Sequence, residues 1–470
     1  MFNDVGTVLI VVHSTISVVY GRLLVHELEM IHVFRRIPEM LERDDIIKKE
    51  KEFMVPAYAR KEIVVHKGKD TLIWDLDGTE YIDCLSGISV VNAGHSPDRL
   101  VKAGSEQLSM LLHCSGLYHN VPQTLLAEKL AGLTPPHLKK SFFCNSGAEA
   151  VEGAVKIAKK YSLTQGRSGA AVIALEGSFH GRLGLSLTLT GQAKYKQGFG
   201  TFANAPGVVH APMPYCYRCP LAYPDCGIEC ARRVEDIIKY HTTGDVAAMI
   251  VEPILGEGGI VVPPDDYHAM VQKICKAHDI LYIADEVQTG VGRTGKMFAI
   301  ELFGISPDIM TMAKGLGAGM PIGGYITTDE IAGSLVSGDH FSTFGGNPVC
   351  CRVAAENLDY LQEEDLVKNS DNIGERMMKS LLELQESLEM IGEVRGKGLM
   401  IGIELVKDKG TKEPAEKETQ SVANNMVKNG ALVGTGGVKK NVLRIQPPLC
   451  MTEVQSERVL NLLEAALKKI

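Results

Sequence analysis

The strongest chemical signal in the chain runs from Asp308 to Gly324 and reads DIMTMAKGLGAGMPIGG. Lys314 is the only charged residue between Asp308 and Asp329. An ammonium group is costly to bury unless it is paired or discharged. Two interpretations follow. Either Lys314 extends to the surface from a strand end, or its apolar setting lowers its pKa and makes it a nucleophile toward carbonyl compounds.

Acidic residues and a candidate phosphate cradle accompany this lysine elsewhere in the chain. Glu252 lies near the end of the apolar run AAMIVEP, and Asp285 lies near the end of ILYIADEV. A carboxylate that faces a cleft at such a strand end is expected to do more than contact solvent at the surface. Ser146 and Glu149 have the spacing of a capping box, which predicts a helix whose first backbone N–H groups are exposed. Such a helix end suits a phosphate, although an ordinary capped helix is the alternative.

An aromatic residue and an arginine follow the apolar run AVIAL, in the segment GSFHGRLG. Phe179 has the chemistry to stack on a ring, and Arg182 the chemistry to hold a carboxylate. The alternatives are a structural role for His180 and a surface ion pair for Arg182. A second motif, GVGRTGK, imitates a P-loop, but Met297 follows it where a magnesium-binding Ser or Thr is required, which excludes nucleotide binding there.

Together these residues match the needs of one cofactor, pyridoxal 5′-phosphate (PLP). PLP requires a lysine for a Schiff base, an acid for its ring nitrogen, a phosphate cradle and a group that stacks on its ring. Lys314, Asp285, the turn of residues 146–148 and Phe179 supply these four parts. The sequence therefore predicts PLP, with the acid keeping the ring nitrogen protonated.

Alternating strands and helices are needed to position these side chains. Between about Pro97 and Ile331, apolar strand-like runs (171–175, 247–253, 280–287 and 308–313) alternate with helical segments, which is typical of a mainly parallel sheet covered by helices. Ligands bind at the carboxyl ends of such strands, where each candidate residue falls. We predict an α/β protein with an N-terminal extension (1–47), the first part of a small domain (48–96), a large domain (97–345) and the rest of the small α+β domain (346–470).

The body of the chain, from about Lys48 to its end, resembles the class III aminotransferases of PLP fold type I. This family includes 4-aminobutyrate, acetylornithine, ornithine and alanine–glyoxylate aminotransferases. The likeness rests on seven segments in the family's order: NSGAEAVEGAVKIA, SFHGR, VEPILGEGG, ADEVQTGVGRTGK, MAKGLGAGMPIGG, STFGGNP and VRGKGLMIGIEL. It implies a large domain with a mainly parallel sheet and a smaller α+β domain built from both ends of the chain.

The resemblance also implies roles for the candidate residues. Lys314 is the Schiff-base lysine and proton shuttle, Asp285 pairs with the pyridine nitrogen, and Val287 packs on the ring face opposite Phe179. The rest of the implied cofactor-binding set is Ser146, Gly147 and Ala148 at the phosphate, Glu252, Gln288 at the ring hydroxyl, and Thr343. Thr343 is expected to reach the phosphate of a partner subunit, so the active unit is a homodimer with shared sites; a tetramer is left open.

Substrate selection follows from the same resemblance. Arg395, in VRGKG, is similar to the arginine that binds an α-carboxylate, and Glu257 to the residue that covers this arginine when a distal amine enters. Arg182 matches the arginine that holds the far carboxylate in 4-aminobutyrate enzymes, but its motif FHGR also occurs in acetylornithine and ornithine enzymes. Ile88 stands where ornithine aminotransferases carry tyrosine, which disfavours ornithine.

These residues predict a ping-pong aminotransferase that moves an amino group from an ω-amino acid, 4-aminobutyrate above all, to a 2-oxo acid such as 2-oxoglutarate. Alanine–glyoxylate, β-alanine–pyruvate and acetylornithine transamination stay open. Two alternatives belong to other classes. One is a PLP-dependent amino-acid racemase, and the other is a non-catalytic binding protein that keeps the fold.

Four cysteines depart from the simplest family members: Cys216, Cys219, Cys226 and Cys230, spaced C-x2-C-x6-C-x3-C. Such spacing suits a structural zinc or iron–sulfur site, with a loop of reduced thiols as the alternative. The PLP chemistry itself needs no metal.

The composition narrows the class of protein. The 470 residues are 45% hydrophobic and 23% charged, with a net charge of −8, so neither nucleic acid nor an anionic membrane surface is an expected partner. Eleven scattered cysteines indicate a reducing cytoplasm rather than a secreted disulfide framework. The uncharged N-terminal stretch VGTVLIVVHSTISVVYG is short for a membrane span, and we interpret it as a dispensable extension.

Overall fold

The computed structural model describes residues 42–470. Positions 1–41 of the predicted N-terminal extension (1–47) therefore lie outside the described residues. The described part divides into two compact units, one of residues 42–68 and 73–80 and one of residues 69–72 and 81–470. The predicted domain boundaries stay predictions.

The smaller unit contains helix α1 (Arg43–Phe53) and the greater part of strands β1 (Val65–Lys69) and β2 (Leu72–Asp75). The Lys67 ammonium lies 4.8 Å from the ring centroid of Trp74. The other elements belong to the larger unit, apart from the first residue of strand β3 (Glu80–Asp83).

A seven-stranded sheet forms the centre of the larger unit, in the order β4-β10-β9-β8-β7-β5-β6. Its strands are β4 (Lys140–Cys144), β5 (Ala171–Leu175), β6 (Val208–Ala211), β7 (Val246–Val251), β8 (Leu281–Asp285), β9 (Ile309–Met312) and β10 (Gly323–Thr327). β10 runs antiparallel to both neighbours, whereas β9, β8, β7, β5 and β6 are parallel. The predicted mainly parallel sheet is confirmed.

The central strands are buried along their whole length because helices cover both faces of the sheet. β5, β7, β8, β9 and β10 show no alternation of buried and exposed residues, as expected for a parallel sheet between helical layers. The helices up to β10 are α2 (Ser86–Ser89), α3 (Asp98–Met110), α4 (Val121–Leu133), α5 (Gly147–Thr164), α6 (Gly184–Leu189), α7 (Ala193–Lys196), α8 (Glu229–His241) and α9 (Tyr267–Ala277).

An antiparallel sheet in the order β11-β12-β15-β14 follows toward the C-terminus. Its strands are β11 (Ile391–Lys397), β12 (Met400–Leu405), β14 (Gly434–Gly436) and β15 (Val442–Ile445), while β13 (Ala431–Leu432) pairs in parallel with β3. The helices of this region are α10 (Asp329–Ala332), α11 (Pro348–Glu363), α12 (Leu366–Ser387), α13 (Glu416–Lys428) and α14 (Glu453–Leu467). None of the helices found within residues 42–470 is both long and apolar enough to cross a membrane.

Candidate active site

A cavity of about 380 Å³ opens at the carboxyl ends of the parallel strands of the central sheet. The segments after β4, β5, β7, β8 and β9 all reach it, as the strand pattern predicts. Its lining includes nine of the ten predicted cofactor residues: Ser146, Gly147, Ala148, Phe179, Glu252, Asp285, Val287, Gln288 and Lys314. The tenth, Thr343, is exposed outside the cavity wall.

Lys314 occupies the turn that follows β9. Its backbone is left-handed, with φ of +41°, a conformation that a lysine adopts only under local strain. Gly315 is required next to it, because a Cβ atom there would lie 2.4 Å from Nδ2 of Asn92. Burial lowers the pKa of Lys314, although the carboxylates of Glu257 and Asp285 oppose that shift. Burial therefore makes the neutral amine, which is the nucleophilic form, easier to reach than for an exposed lysine.

The carboxylate of Asp285, at the end of β8, is held from several sides. Its Oδ2 lies 2.7 Å from Nδ1 of His180, and its Oδ1 accepts hydrogen bonds from Thr311 Oγ1 (2.9 Å) and the Val287 backbone (3.1 Å). Asp285 and His180 are both buried, so the pair forms a rigid acidic group beside the cavity.

Glu252, after β7, is a second buried carboxyl group on the cavity wall. It accepts hydrogen bonds from the backbone N–H groups of Phe179 (2.8 Å) and Gly256 (2.9 Å). Burial, with a further push from Asp285, raises the pKa of Glu252 to about 7 even though His180 opposes the shift. Glu252 therefore fixes the backbone at Phe179 and takes up a proton near neutral pH.

The helix predicted after Ser146 is confirmed as α5. Ser146 is its N-cap and accepts a hydrogen bond from the Glu149 backbone (3.3 Å), while the Glu149 side chain accepts from the Asn145 backbone (2.7 Å). The N–H groups of Gly147 and Ala148 lie in the first turn, where a helix offers them no internal acceptor. A Cβ atom on Gly147 would lie 2.7 Å from Cγ1 of Val287, so this end of the cavity is closely built.

A polar network that includes Gln288 extends from the cavity to the C-terminal antiparallel sheet. Arg444, on β15, donates from Nη1 to Glu257 Oε1 (2.6 Å) and from Nη2 to Gln446 Oε1 (3.0 Å). Gln446 in turn donates from Nε2 to Gln288 Oε1 (3.0 Å). Burial pushes the pKa of Glu257 upward, but Arg444, Lys314 and Lys194 hold it below its usual value. Arg444 and Glu257 are also among the charges that act on Lys314.

The predicted pairing of Glu257 with Arg395 is wrong, because Glu257 pairs with Arg444 instead. Arg395 lies in a separate buried cluster, and all of its guanidinium nitrogens donate within it. Nη1 binds Glu404 (2.7 Å) and Glu393, Nη2 binds the Gly259 carbonyl (2.6 Å) and Tyr215 (3.1 Å), and Nε is shared by the Gly259 and Ile260 carbonyls. No donor of Arg395 is left for a substrate carboxylate.

Arg182 and Ile88, the other predicted substrate residues, are both exposed and absent from the cavity lining. The Arg182 guanidinium lies 4.4 Å from the ring centroid of Tyr195 and 5.8 Å from that of Phe179, which places it beside the cavity wall. Burial, with a contribution from the Glu257 carboxylate, raises the pKa of Tyr195. Ile88 has φ of +67° in a left-handed turn that precedes Val90, which does line the cavity.

The four cysteines of the 216–230 segment are all free thiols and are partly buried. Within residues 42–470, no three Cys, His, Asp or Glu side chains meet in an arrangement that holds a metal ion. Burial raises the pKa of both Cys216 and Cys230 to about 11, so their thiols stay protonated. The structural metal candidate stays a prediction.

Residues 54–467 match the sequence profile of the family described as "Aminotransferase class-III". The chain belongs to this family. It is a PLP-dependent transaminase of fold type I, as the sequence resemblance implied.

Relatives of the chain differ in activity. A leucine/methionine racemase of Thermococcus litoralis is 40% identical over 87% of this chain and 91% of the relative. An acetylornithine aminotransferase of Methanocaldococcus jannaschii is 38% identical (92% and 100%), and a probable 4-aminobutyrate aminotransferase of Bacillus subtilis is 38% identical (86% and 92%). The crystal structure of a Bacillus anthracis aminotransferase is 32% identical, covers 91% of this chain and 98% of its own, and has a TM-score of 0.86.

The cavity fits PLP on its own geometry. Gln288 Nε2 is a buried donor that has no partner among residues 42–470, and Gln288 lines the cavity, so it suits the ring hydroxyl. Asp285 suits the ring nitrogen, the first turn of α5 suits the phosphate, and Lys314 suits the carbonyl carbon.

Three residues of the site escaped the sequence reasoning. His180 follows Phe179 in SFHGR and pairs with Asp285, although its expected role was only structural. Arg444 lies in NVLRIQPPL, within the predicted C-terminal part of the small α+β domain (346–470), and Gln446 follows it by two residues. The available signal was an arginine within an otherwise apolar strand, which is the same kind of signal that identified Lys314.

Proposed function

We propose that this transaminase moves an amino group between an ω-amino acid, 4-aminobutyrate above all, and 2-oxoglutarate. The observation that carries the proposal is the ion pair of Glu257 with Arg444, whose charges both act on Lys314. A guanidinium with a removable carboxylate cover suits two unlike substrates. Glutamate and 2-oxoglutarate bring an α-carboxylate that replaces Glu257, whereas an ω-amino donor has none and leaves the pair closed.

The far end of the substrate is assigned to Arg182. Its position over Tyr195 and near Phe179 places a second cation beside the cavity wall. The carboxylate of 4-aminobutyrate and the side-chain carboxylate of glutamate both need such a partner. Two cations, Arg444 and Arg182, thus support a dicarboxylate acceptor better than glyoxylate or pyruvate.

Bound PLP supplies the electron sink that permits transfer of the amino group. The residues of the chain do the rest. Lys314, whose pKa is lowered by burial, would hold PLP through its carbonyl carbon and would move the proton at the reacting carbon. Asp285, held by His180 and Thr311, keeps the ring nitrogen protonated. The Gly147 and Ala148 N–H groups hold the phosphate.

A homodimer is part of this proposal, with Thr343 serving the partner's site. Large apolar side chains around this residue are exposed: Met110 (79%), Leu112 (61%), Leu117 (74%), Phe341 (55%) and Phe344 (62%). They belong to one surface, because His113 stacks on Phe344 at 5.1 Å and Asn347 donates to the Leu112 carbonyl. An exposed apolar area of this kind supports an interface between two copies.

Steady-state turnover of the PLP-loaded protein tests the proposal. 4-Aminobutyrate, β-alanine, N-acetylornithine, ornithine and alanine are each supplied with 2-oxoglutarate, and the glutamate formed is measured. The proposal expects 4-aminobutyrate to give the highest kcat/KM. If N-acetylornithine gives the higher kcat/KM, or if alanine does so once glyoxylate replaces 2-oxoglutarate as the acceptor, the proposed 4-aminobutyrate activity would give way to acetylornithine or alanine–glyoxylate transamination.

Racemisation is a second candidate, favoured by the 40% identical leucine/methionine racemase. A racemase needs the same Lys314 and Asp285 but no oxo acid. L-Leucine and L-methionine are therefore incubated without an acceptor and their optical activity is followed. Loss of optical activity in this incubation, at a rate above the rate of glutamate formation in the transamination assay, would favour racemisation.

A further inference from the structure

The residue that covers Arg444 stands on a short, closed loop. The backbone groups of Leu255 and Val261 exchange two hydrogen bonds of 3.0 Å, and Glu257 lies between them. Inside the loop, the N–H groups of Gly259 (3.1 Å) and Ile260 (3.2 Å) both donate to the Gly256 carbonyl. The loop (residues 255–261, hereafter the Glu257 loop) therefore has a fixed base. Its internal hydrogen bonds do not use the carbonyls of Gly259 and Ile260.

Arg395 holds these two carbonyls. Its Nε lies 3.0 Å from both the Gly259 and the Ile260 oxygen, and its Nη2 lies 2.6 Å from the Gly259 oxygen. The guanidinium approaches closely because Gly259 lacks a side chain. A Cβ atom there would lie 3.2 Å from Nη2, and the left-handed φ of +118° also suits glycine. One planar fork thus fastens the far side of the Glu257 loop.

The guanidinium is itself anchored in the C-terminal sheet. Glu404, which is fully buried, accepts from Nη1 at 2.7 Å, and Glu393 binds the same nitrogen. The Tyr215 hydroxyl lies 3.1 Å from Nη2. Arg395 is 8% exposed, so its orientation is fixed on every side. The loop that carries Glu257 is therefore tied to strands β11 and β12, the pair that carries Arg395 and Glu404.

We propose that Arg395 is a positioning residue that acts through Glu257. By fastening the Glu257 loop, it keeps the carboxylate over Arg444 and so sets the preference for ω-amino donors over α-amino acids. Arg395 itself does not touch the substrate. The proposal rests on the proposed function, in which an ω-amino donor needs the closed Glu257–Arg444 pair and glutamate needs it open.

The test variant is Arg395→Lys. Lysine keeps a positive charge beside Glu404 but has no planar fork for two carbonyls at once. Loss of charged hydrogen bonds to the loop is expected to lower kcat/KM for 4-aminobutyrate by about tenfold relative to kcat/KM for glutamate. The matched control is Arg218→Lys, because Arg218 binds the same Glu404 carboxylate (2.6 Å) and, in the described part of the chain, its hydrogen bonds go to Glu404 and Lys412 rather than to the Glu257 loop. An equal loss for both substrates in R395K, or the same shift in R218K, would overturn the proposal.

A second readout does not depend on which amine is the substrate. Amide hydrogen exchange at Gly259, Ile260 and Val261 is expected to be about tenfold faster in R395K than in wild type and R218K. Unchanged exchange would contradict the proposal even if no tested amine reacted, so its failure is distinguishable from failure of the proposed function. In a Glu257→Gln background, R395K should add no further change to the donor preference, since Arg395 acts through Glu257.

A milder variant covers the case in which R395K does not fold. Tyr215→Phe removes a hydroxyl that accepts from Arg395 Nη2 and donates to Glu404, the carboxylate that anchors Arg395. It is expected to shift the donor preference in the same direction by about two- to fivefold. A shift toward ω-amino donors, or none, would contradict the proposal.

Discussion

Substitution of Arg444 tests the assignment of the α-carboxylate site. The side chain is 4% exposed and donates to Glu257 from Nη1, with Nη2 and Nε directed to Gln446. An α-carboxylate that displaces Glu257 gains charge-assisted hydrogen bonds worth about 1.5–3 kcal/mol each. Because two such bonds are not fully additive, Arg444→Gln is expected to cost about 3–4 kcal/mol for glutamate, or about 10²- to 10³-fold in kcat/KM.

The assay compares two substrates on one preparation. Single-turnover rates with glutamate and with 4-aminobutyrate are followed by loss of the yellow absorbance of the bound cofactor. The single-turnover rate with 4-aminobutyrate is expected to fall by about tenfold or less. This donor makes no bond to Arg444, so the substitution affects it only because Glu257 loses its positively charged partner. Arg444→Lys should recover part of the glutamate rate. A loss below about threefold for glutamate, or equal losses for both substrates, would refute the assignment.

Three further predictions concern the cofactor site. Lys314→Ala should lower transaminase turnover by about 10³-fold or more because the proton shuttle is lost, and retention of the wild-type rate would contradict that role. Gly147→Ala places a Cβ atom 2.7 Å from Val287 and should weaken PLP binding by about 1–3 kcal/mol in an equilibrium titration, whereas unchanged affinity would argue against a cradle there. The pKa of Glu252 is raised by burial to about 7, above the ordinary 4.5, so its stabilising contribution is full below about pH 4.5 and lost as the pH rises through 7. Denaturant unfolding of the PLP-free protein at pH 5 and 8 should therefore show wild type losing about 2.5 kcal/mol relative to Glu252→Gln, and parallel pH profiles would contradict the buried acid.

The sequence was sufficient for the sheet and for the cofactor end of the site, for a physical reason. Parallel strands buried on both faces read as continuous apolar runs, so their ends are visible, and Glu252, Asp285 and Lys314 stand out there as charges. The helix after Ser146 has a local capping signal that needs no tertiary information.

Pairings between distant segments were beyond the sequence. Arg395, on β11, and Arg444, on β15, belong to one antiparallel sheet, and both pair in register with Gly402 of β12. The position of the Glu257 loop in the folded protein decides which guanidinium binds the Glu257 carboxylate and which binds the backbone carbonyls of the loop. Likewise, four closely spaced cysteines suggest a metal, but ligand geometry is a property of the folded loop.

The most direct test of the central claim is a half-reaction with 4-aminobutyrate and no oxo acid. PLP-loaded protein is mixed with the donor, and both the yellow absorbance and the oxidised product are measured. We expect the yellow absorbance to be lost completely, with one equivalent of oxidised product released per active site. Addition of 2-oxoglutarate should then restore the colour and form glutamate. If the colour persists with every amine tested while enantiopure leucine or methionine loses its optical activity, the transamination account is contradicted and the protein is a racemase.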